Sequence, residues 1–389
     1  MKVLMIEPCY FGTGGYLRAY NNAKSLSERG FVVDLFCSSN KKFELRIKKR
    51  KINDNFWLWE LPRLDLNPHI NFTGRVLRGF IGLVMSFRKK YNIVHVCNPV
   101  QFESNIPGAI LKLLGKRVVM GWDDYFGGSP IFDNVKFTKK YVNFCETHAP
   151  KFFENMVVIS DYLANRAKEL GAKRTVTIIN GISDSARITI HPKTEARNRL
   201  GLQNDKKYLF AFGNTQSWER TLELLRIFEK IQRLDSNVML LCNFDPYKIL
   251  EIFGKEHEVE NKSLDKIINV GYIAEKDIEY YLSAADAAVL IQGEFENERA
   301  CYPMRVTSYL GAELAIIMND IDSEVGRIMK KFQCAIIDKD EETLAQKTVK
   351  YLRDENWQKE LRKKVRIAKE EMSQDKIILK LIDFYKSIP

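Results

Sequence analysis

Short apolar, β-branched runs alternate with segments of helical pattern along almost the whole chain of 389 residues. This alternation is typical of open α/β sheets, in which parallel strands are joined by helical crossovers. The runs form two sets, one within residues 2–179 and the other within residues 208–337. The polar segment 184–207 lies between them and predicts a linker. We therefore expect two α/β halves with a cleft between them, and ligand sites at the carboxyl ends of the strands.

The composition is that of a globular protein with enough apolar material for two cores. Hydrophobic residues make up 45% of the sequence and charged residues 29%, at a length that suits two domains. No window approaches the roughly 18 consecutive apolar residues of a membrane span, and the apolar opening at residues 1–6 is too short for a signal peptide. The seven cysteines are far apart and form no C-x-x-C pair. Their spacing argues against zinc and against disulfides, so we expect a cytoplasmic protein.

The formal net charge is +11, and basic residues are concentrated in segments 41–51 and 75–90. A basic protein can bind nucleic acid, an anionic membrane surface or a phosphorylated substrate. No nucleic-acid-binding motif accompanies the charge, so we expect no nucleic acid partner. Peripheral binding to the inner face of the cytoplasmic membrane stays open, because Trp57 and Trp59 lie near these cations.

Segment 75–90 also carries apolar residues at helical spacing. We expect these residues to pack on the sheet, as those of a crossover helix do. They are Val76, Leu77, Phe80, Ile81 and Val84. Trp57 and Trp59 alternate on a predicted strand, which predicts that one of the two is buried.

A glycine-rich turn follows the first predicted strand and precedes a helix. Gly14 and Gly15 would expose bare amides at the helix N-terminus, where the helix dipole attracts anions or sugar hydroxyls. A plain tight turn is the alternative interpretation. A nicotinamide enzyme is the least favoured function, because its G-x-G-x-x-G motif would need a glycine where Leu17 stands.

The most specific motif lies in the second half. Residues 303–311 read Pro-Met-Arg-Val-Thr-Ser-Tyr-Leu-Gly, after the acidic run 294–298 and before an apolar strand at 315–318. This order resembles the donor-binding loop and helix of retaining GT-B glycosyltransferases of the GT4-like (glycosyl transferases group 1) family. Weaker motifs similar to those of the same family occur in the same order at residues 157–163, 178–184, 212–214, 269–273 and 281–286.

The resemblance implies an α/β protein of two Rossmann-like (GT-B) domains that face each other across a cleft. Residues 1–185 would bind the acceptor, 186–206 would be the linker and 207–368 would bind the nucleotide sugar. A C-terminal helix within residues 369–389 would cross back to the N-terminal domain. The implied activity moves a sugar from a nucleoside diphosphate sugar to a glycan or lipid-linked acceptor. It would proceed with retention and without a metal ion or other cofactor, in cell-surface polysaccharide or glycoconjugate assembly.

On the donor side, the resemblance implies a diphosphate site at Arg305, because a guanidinium can bind two phosphate oxygens at once. Arg220 is the second candidate for this role, and either side chain could instead be a solvated arginine at a helix start. Glu298 stands two positions from the place of the family's first glutamate and could serve its role. The remaining implied donor-binding residues are Gly213, Asn214, Tyr272, Ile273, Val306 and Ser308.

On the acceptor side, the implied residues are Gly14, Gly15, Arg18, Asp123 and Asp124. Either aspartate could bind a sugar hydroxyl or assist the acceptor, and a helix cap or loop turn is the alternative for the pair. The implied catalytic set is Asp123 with Glu298 and Arg305.

The sequence departs from the family pattern at its acidic positions. Ser308 stands in place of the ribose-binding glutamate and Ala300 in place of the first glutamate. Two alternatives therefore stay open. One is a catalytically degenerate GT-B protein that binds a glycan or a nucleotide. The other is a nucleotide-sugar epimerase, although its histidine and acid cluster has no evident place among the five histidines.

Overall fold

The computed structural model describes residues 1–10, 13–64, 72–87, 89–133, 135–182, 188–213, 218–253 and 261–389. Its strands are β1 (Lys2–Tyr10), β2 (Val32–Ser38), β3 (Phe43–Glu44), β4 (Lys48–Asn53), β5 (Phe56–Leu61), β6 (Arg63–Leu64), β7 (Ile93–Cys97), β8 (Val118–Trp122), β9 (Asn155–Val158), β10 (Arg174–Thr177), β11 (Lys207–Ala211), β12 (Val238–Cys242), β13 (Ile267–Asn269), β14 (Ala287–Val289), β15 (Ile316–Asn319) and β16 (Ala335–Asp338). Its helices are α1 (Gly14–Glu28), α2 (Phe72–Ser86), α3 (Phe102–Leu113), α4 (Lys136–Phe153), α5 (Asp161–Glu169), α6 (Lys193–Arg199), α7 (Trp218–Leu234), α8 (Pro246–Phe253), α9 (Asn261–Leu264), α10 (Ile278–Ala284), α11 (Glu296–Ala300), α12 (Met304–Gly311), α13 (Glu324–Phe332), α14 (Glu341–Arg353), α15 (Glu355–Glu371) and α16 (Gln374–Ser387). Within the described ranges, no helix combines the length and apolarity needed to cross a bilayer.

The chain divides into two compact units. The N-terminal unit comprises Met1–Ser185, Phe295–Tyr302 and Ser373–Pro389, and the C-terminal unit comprises Ala186–Glu294 and Pro303–Met372. The short helix α11 and the last helix α16 therefore belong to the N-terminal unit, although both follow parts of the C-terminal unit in sequence.

The N-terminal unit is built on an eight-stranded sheet of order β10-β9-β8-β7-β1-β2-β5-β4. All its strand pairs are parallel except β4 with β5 at the edge. Strand β1 lies near the centre, and Val3, Leu4, Met5 and Ile6 are almost fully buried. A parallel strand covered by helices on both faces is expected to be apolar on both faces. The continuous apolar run at the start of the chain is thus explained by its place in the sheet.

The C-terminal helix α16 completes the core of the N-terminal unit by packing against α1. Ile378 and Leu381 of α16 are fully buried in the same cluster as Val3 and Met5 of β1. Tyr385 is also buried, and its hydroxyl lies 2.6 Å from His95 Nδ1. Burial lowers the pKa of His95 to about 3, so the imidazole in this contact is neutral.

The C-terminal unit is built on a six-stranded parallel sheet of order β13-β12-β11-β14-β15-β16. Its core joins the apolar faces of α7 and α14 to buried residues of the strands, such as Leu240 and Ile317. The prediction of two Rossmann-like sheets, with a final helix that returns to the N-terminal unit, is confirmed.

Two predictions about side-chain burial in the N-terminal unit are wrong. Val76, Phe80 and Val84 of α2 are 40%, 63% and 43% exposed, so they do not pack on the sheet. The side of α2 that faces the protein instead carries Gly79, next to α3, and Gly82, next to Phe36 of β2. Trp57 and Trp59 are both partly exposed, whereas Phe56 and Leu58 are buried. Residues two apart on a strand point to the same face, so the two tryptophans share one environment.

Candidate functional site

A pocket lies at the carboxyl edge of the six-stranded sheet in the C-terminal unit. It is bounded by the ends of β11, β12 and β14 and by residues of α7 and α12. The lining residues are Ala211, Phe212, Gly213, Arg220, Thr221, Leu224, Asn243, Phe244, Val289, Leu290, Ile291 and Arg305. Ligands of open α/β sheets bind at this edge. Three of the predicted donor-binding residues, Gly213, Arg220 and Arg305, line this one pocket.

The turn after β11 is shaped to admit the Arg305 side chain. Gly213 adopts a φ of 140°, and a Cβ added to it would lie 2.2 Å from Arg305 Nη1. The Gly213 amide donates to Asn243 Oδ1, and Asn243 Nδ2 donates back to the Gly213 carbonyl, both at 3.1 Å. This reciprocal pair fixes the turn by linking the ends of β11 and β12. A side chain larger than hydrogen at position 213 would displace the guanidinium or the turn itself.

The Arg305 side chain makes few polar interactions with the described residues. Within the part of the chain that the structure describes, it forms no ion pair, and its Nη1 donates to the Phe212 carbonyl at 3.4 Å. Its buried Nε has no partner among the described residues. Buried polar groups in proteins are normally hydrogen-bonded. Arg305 is half-buried at the edge of a pocket, and its Nε–H group has no acceptor among the described residues. It therefore has the chemistry of an anion-binding group.

Helix α12 carries Arg305 in its first turn and is rigidly placed. Pro303 is the N-cap residue and makes no side-chain cap, and the first turn holds no acidic residue. The first amides and the positive end of the helix dipole are therefore not offset by a carboxylate of the helix itself. Tyr309 anchors the helix: its hydroxyl accepts from the Phe212 amide at 3.2 Å and donates to the Val289 carbonyl at 3.4 Å.

The other predicted donor-binding residues have varied environments. Val306 is fully buried, and its role there is packing. Ser308 is partly buried on α12. Tyr272 is 93% exposed, and the neighbouring Ile273 is partly buried. None of these four residues lines the pocket. The prediction for Asn214 lies outside the described residues.

In the N-terminal unit, the predicted acceptor residues meet at the carboxyl ends of β1 and β8. Arg18 of α1 is 7% exposed, and its Nη2 lies 3.1 Å from Asp123 Oδ1. Asp124, the next residue, is exposed. Gly15, the second residue of α1, lies so close to β1 that an added Cβ would lie 2.8 Å from Cys9 Sγ. The structure therefore brings Gly15, Arg18 and Asp123 to one edge of the sheet, and Gly14 precedes Gly15 in the exposed first turn.

Two functional candidates at this edge were missed by the sequence reasoning. Glu7 of β1 is 3% exposed, and burial together with the negative charge of Asp123 raises its pKa to about 7. Asn180 is also buried and accepts a hydrogen bond from Arg18 Nη1 at 3.4 Å. The one sequence signal for Glu7 is its position as an acidic residue directly after the apolar run of residues 3–6. A carboxyl group with a pKa near neutrality can exchange a proton with a hydroxyl at neutral pH.

A second buried acid supports the loop after β8. Glu146 of α4 accepts from the Phe126 and Gly127 amides at 2.9 and 2.7 Å. Trp122 Nε1 also donates to it, at 3.3 Å. Burial raises the pKa of Glu146 to about 7 in spite of these bonds. Its hydrogen bonds go to the loop backbone, so it shapes the segment that follows Asp123.

Glu298 lies on α11 and is therefore part of the N-terminal unit, whereas Arg305 is part of the C-terminal unit. Its side chain is 2% exposed. Among the described residues, no three His, Cys, Asp or Glu side chains are grouped as metal ligands.

Comparison with solved structures shows that this chain has the GT-B glycosyltransferase fold. Sucrose-phosphate synthase from Thermosynechococcus elongatus superposes with a TM-score of 0.74 at 15% identity, over 99% of this chain and 98% of that chain. WaaG, a glycosyltransferase involved in lipopolysaccharide biosynthesis, gives 0.69 at 12% identity over 99% and 100%. Anabaena Alr3699/HepE in complex with UDP gives 0.67 at 12% identity over 100% of both chains. No protein-family model matches the sequence, and no curated protein matches it.

Proposed function

We propose that this protein is a glycosyltransferase that moves a sugar from a nucleoside diphosphate sugar to a hydroxyl of a glycan or lipid-linked acceptor, with retention. The observation that carries the proposal is Arg305, a guanidinium without an ion pair in the described chain, at the pocket formed by β11, β12 and β14. Support also comes from the fold, which is shared with HepE in complex with UDP and with the glycosyltransferase WaaG.

The chemistry of the proposed reaction needs charge neutralisation more than a strong base. As the bond to the sugar breaks, negative charge develops on the departing diphosphate. Arg305 and Arg220 line the pocket and supply positive charge and hydrogen-bond donors there, and α12 adds the positive end of its helix dipole. The proposal therefore requires no metal ion. Ser308 stands where related sequences carry a ribose-binding glutamate, and its hydroxyl can still make one hydrogen bond to a ribose.

The acceptor is assigned to the N-terminal unit. Gly14 is exposed in the first turn of α1 and Gly15 is partly buried beside it. Asp123 is held by Arg18 at 3.1 Å. A sugar hydroxyl can donate to Asp123 or Asp124 and can accept from the amides of the first turn. Glu298, which precedes the donor helix in sequence, is proposed to serve the role of the family's first glutamate.

A thermal-shift screen against UDP, GDP, CDP, ADP and dTDP tests the donor site. A ligand at one hundred times its Kd stabilises the folded protein by about 2.7 kcal/mol, so we expect one nucleotide to raise the melting temperature by several degrees. The shift should persist in EDTA. Hydrolysis of the matching nucleotide sugar would then separate an enzyme from a silent binding protein. If none of the five nucleotides shifts the transition, the donor site as proposed is wrong.

We further propose that the N-terminal unit docks on membranes through an α2 surface, formed by Val76, Phe80, Val84 and Phe87 with Lys49, Trp57, Trp59 and Lys89. The four apolar residues are 40–63% exposed at helical spacing. Lys89 lies just beyond α2, with Nζ 5.2 Å from the Trp57 ring centroid, which joins the helix to the tryptophans. Exposed aromatic and aliphatic side chains flanked by lysines are typical of helices that lie in the lipid interface.

The cations of this region are less available than the sequence suggested. Lys48, Arg50 and Lys51 pair with Glu44, Glu60 and Asp54, and Lys89 pairs with Asp34. Arg88 lies outside the described residues. Because these four positive charges are offset by acids, the apolar side chains should contribute most of the binding to lipid. Each buried phenylalanine contributes about 2 kcal/mol.

We expect flotation with anionic phospholipid vesicles to recover the protein, and raising the salt to about 0.5 M to weaken this binding only partly. The double variant Phe80→Ser, Phe87→Ser should bind at least tenfold less. Leu379→Ser removes an apolar side chain of similar exposure on α16 and serves as the control. Equal flotation of the double variant and the wild type would contradict the α2 surface.

A further inference from the structure

Asn180 makes two hydrogen bonds that link distant parts of the N-terminal unit. Its Oδ1 accepts from Arg18 Nη1 at 3.4 Å, and its Nδ2 donates to the Tyr302 carbonyl at 2.7 Å. A guanidinium can only donate and a carbonyl can only accept, so this position needs one acceptor and one donor on a short side chain. Asparagine meets this need, whereas aspartate has no donor. The residue is 6% exposed, so both bonds are shielded from water.

On one side, these bonds lead to the proposed acceptor site. Arg18 holds Asn180 with Nη1 and Asp123 with Nη2, so one guanidinium bridges the two residues. Arg18 and Asn180 are both buried. Hydrogen bonds that are linked in a chain strengthen one another in a low-dielectric interior. A ligand that draws Asp123 away from Arg18 would change the geometry of the Asn180 bond as well.

On the other side, the bonds lead to the segment that precedes the donor helix. Tyr302 is the last residue of the stretch Phe295–Tyr302, which belongs to the N-terminal unit. The same stretch is also held at its other end, where the Asn297 amide donates to the Gly128 carbonyl at 3.5 Å. Pro303 follows Tyr302 directly, and α12 begins at Met304. Arg305 thus lies three residues after the carbonyl that Asn180 holds.

We propose that Asn180 is a positioning residue that couples the Arg18–Asp123 pair to the start of α12, and through it to the orientation of Arg305. Asn180 fixes the peptide carbonyl from which the donor helix departs. Occupation of the acceptor side therefore changes the affinity for the donor diphosphate, and by linkage the diphosphate changes the affinity for the acceptor by the same factor. This second consequence rests on the function proposed above, whereas the control of α12 by Asn180 does not.

The test compares Asn180→Asp with Asn105→Asp in the full-length protein. Asn180→Asp keeps an acceptor for Arg18 but sets a carboxylate oxygen against the Tyr302 carbonyl. Asn105 of α3 donates from Nδ2 to the Pro99 carbonyl at 2.5 Å. Asn105→Asp therefore removes the same kind of hydrogen bond at a position that is not linked to α12. Hydrogen–deuterium exchange is followed on peptides covering α12, and the affinity for the nucleotide found in the screen is measured by calorimetry.

We expect Asn180→Asp to speed exchange in α12 about tenfold and to weaken nucleotide binding about five- to tenfold, with no such change in Asn105→Asp. In an Arg305→Ala background, Asn180→Asp should weaken nucleotide binding no further, because both changes act through the same guanidinium. Unchanged exchange in α12 would overturn the coupling. If the wild type binds no nucleotide, the proposed function fails, while the exchange measurement still decides the role of Asn180.

Discussion

Replacing Gly213 by alanine is expected to weaken nucleoside diphosphate binding at least tenfold, which corresponds to about 1.4 kcal/mol. The added Cβ would lie 2.2 Å from Arg305 Nη1, and the φ of 140° at this position is a conformation that alanine rarely adopts. Relief of the overlap must move either the guanidinium or the turn after β11. Both lie at the pocket, and charge-assisted hydrogen bonds to a diphosphate depend on their geometry.

Gly201→Ala is the matched control for this substitution. Gly201 also has a positive φ, 67°, and belongs to the same unit, but nothing lies within 4 Å of a Cβ built there. We expect Gly201→Ala to bind nucleotide as the wild type does, and Arg305→Ala to weaken binding at least tenfold, as Gly213→Ala does. Calorimetric titration with the nucleotide found in the screen measures all three variants. Wild-type affinity in Gly213→Ala would show that the diphosphate does not depend on the position of Arg305.

The sequence predicted both sheets because burial leaves a regular mark on it. Strands covered on two faces, such as β1, are continuously apolar, and the helices between them show the helical period. What this pattern does not show is which side of a helix the protein covers. The apolar residues of α2 span more of the helix than one contact can bury, so Val76, Phe80 and Val84 remain exposed. The helical period therefore predicted α2 correctly, but the prediction that these three side chains pack on the sheet was wrong.

The donor side of the site was accessible to sequence reasoning because its residues lie in short motifs. Arg305 follows Pro303 at a helix start, and the structure places it beside Gly213 in one pocket. The network around Arg18 was not accessible in the same way. Asn180 and Tyr302 are 122 residues apart in sequence, and Asn180 and Arg18 are 162 apart. No local pattern reports such a contact, so only folding shows that Asn180 needs both a donor and an acceptor.

Ion pairs between residues close in sequence can be predicted from the sequence, whereas ion pairs between distant residues cannot. The basic run at residues 41–51 suggested a cationic surface. Lys48 and Lys51 are paired with acids a few residues away, which sequence inspection could have found. Lys89 is paired with Asp34 across 55 residues, and this pairing depends on the fold. Arg305, the cation that matters most for the proposed function and one without an ion pair among the residues that the structure describes, lies outside both basic segments.

Replacing Glu7 by glutamine is expected to stabilise the protein at pH 8 by about 3 kcal/mol and to change its stability little at pH 4.5. Burial and the charge of Asp123 raise the pKa of Glu7 from 4.5 to about 7 in the folded protein. Below pH 4.5 the carboxyl is neutral in both states, so it imposes no cost. As the pH rises from 4.5 to 7 the unfolded chain loses this proton first, and the wild type becomes less stable over that range.

Glutamine remains neutral at all these pH values and keeps the oxygen that accepts the hydrogen bond from the Cys9 amide at 3.0 Å. The difference in the free energy of unfolding between variant and wild type should therefore grow with pH and level off above pH 7. Urea unfolding at pH 4.5, 6 and 8 measures it, with Glu28→Gln on the exposed side of α1 as the control that should shift by no more than about 0.5 kcal/mol. A constant difference across these pH values would mean that Glu7 does not carry the raised pKa. A difference that grows with pH would show that Glu7 destabilises the folded protein at neutral pH. This result would support a role for Glu7 in proton exchange with the acceptor, because strongly perturbed carboxyls concentrate at functional sites.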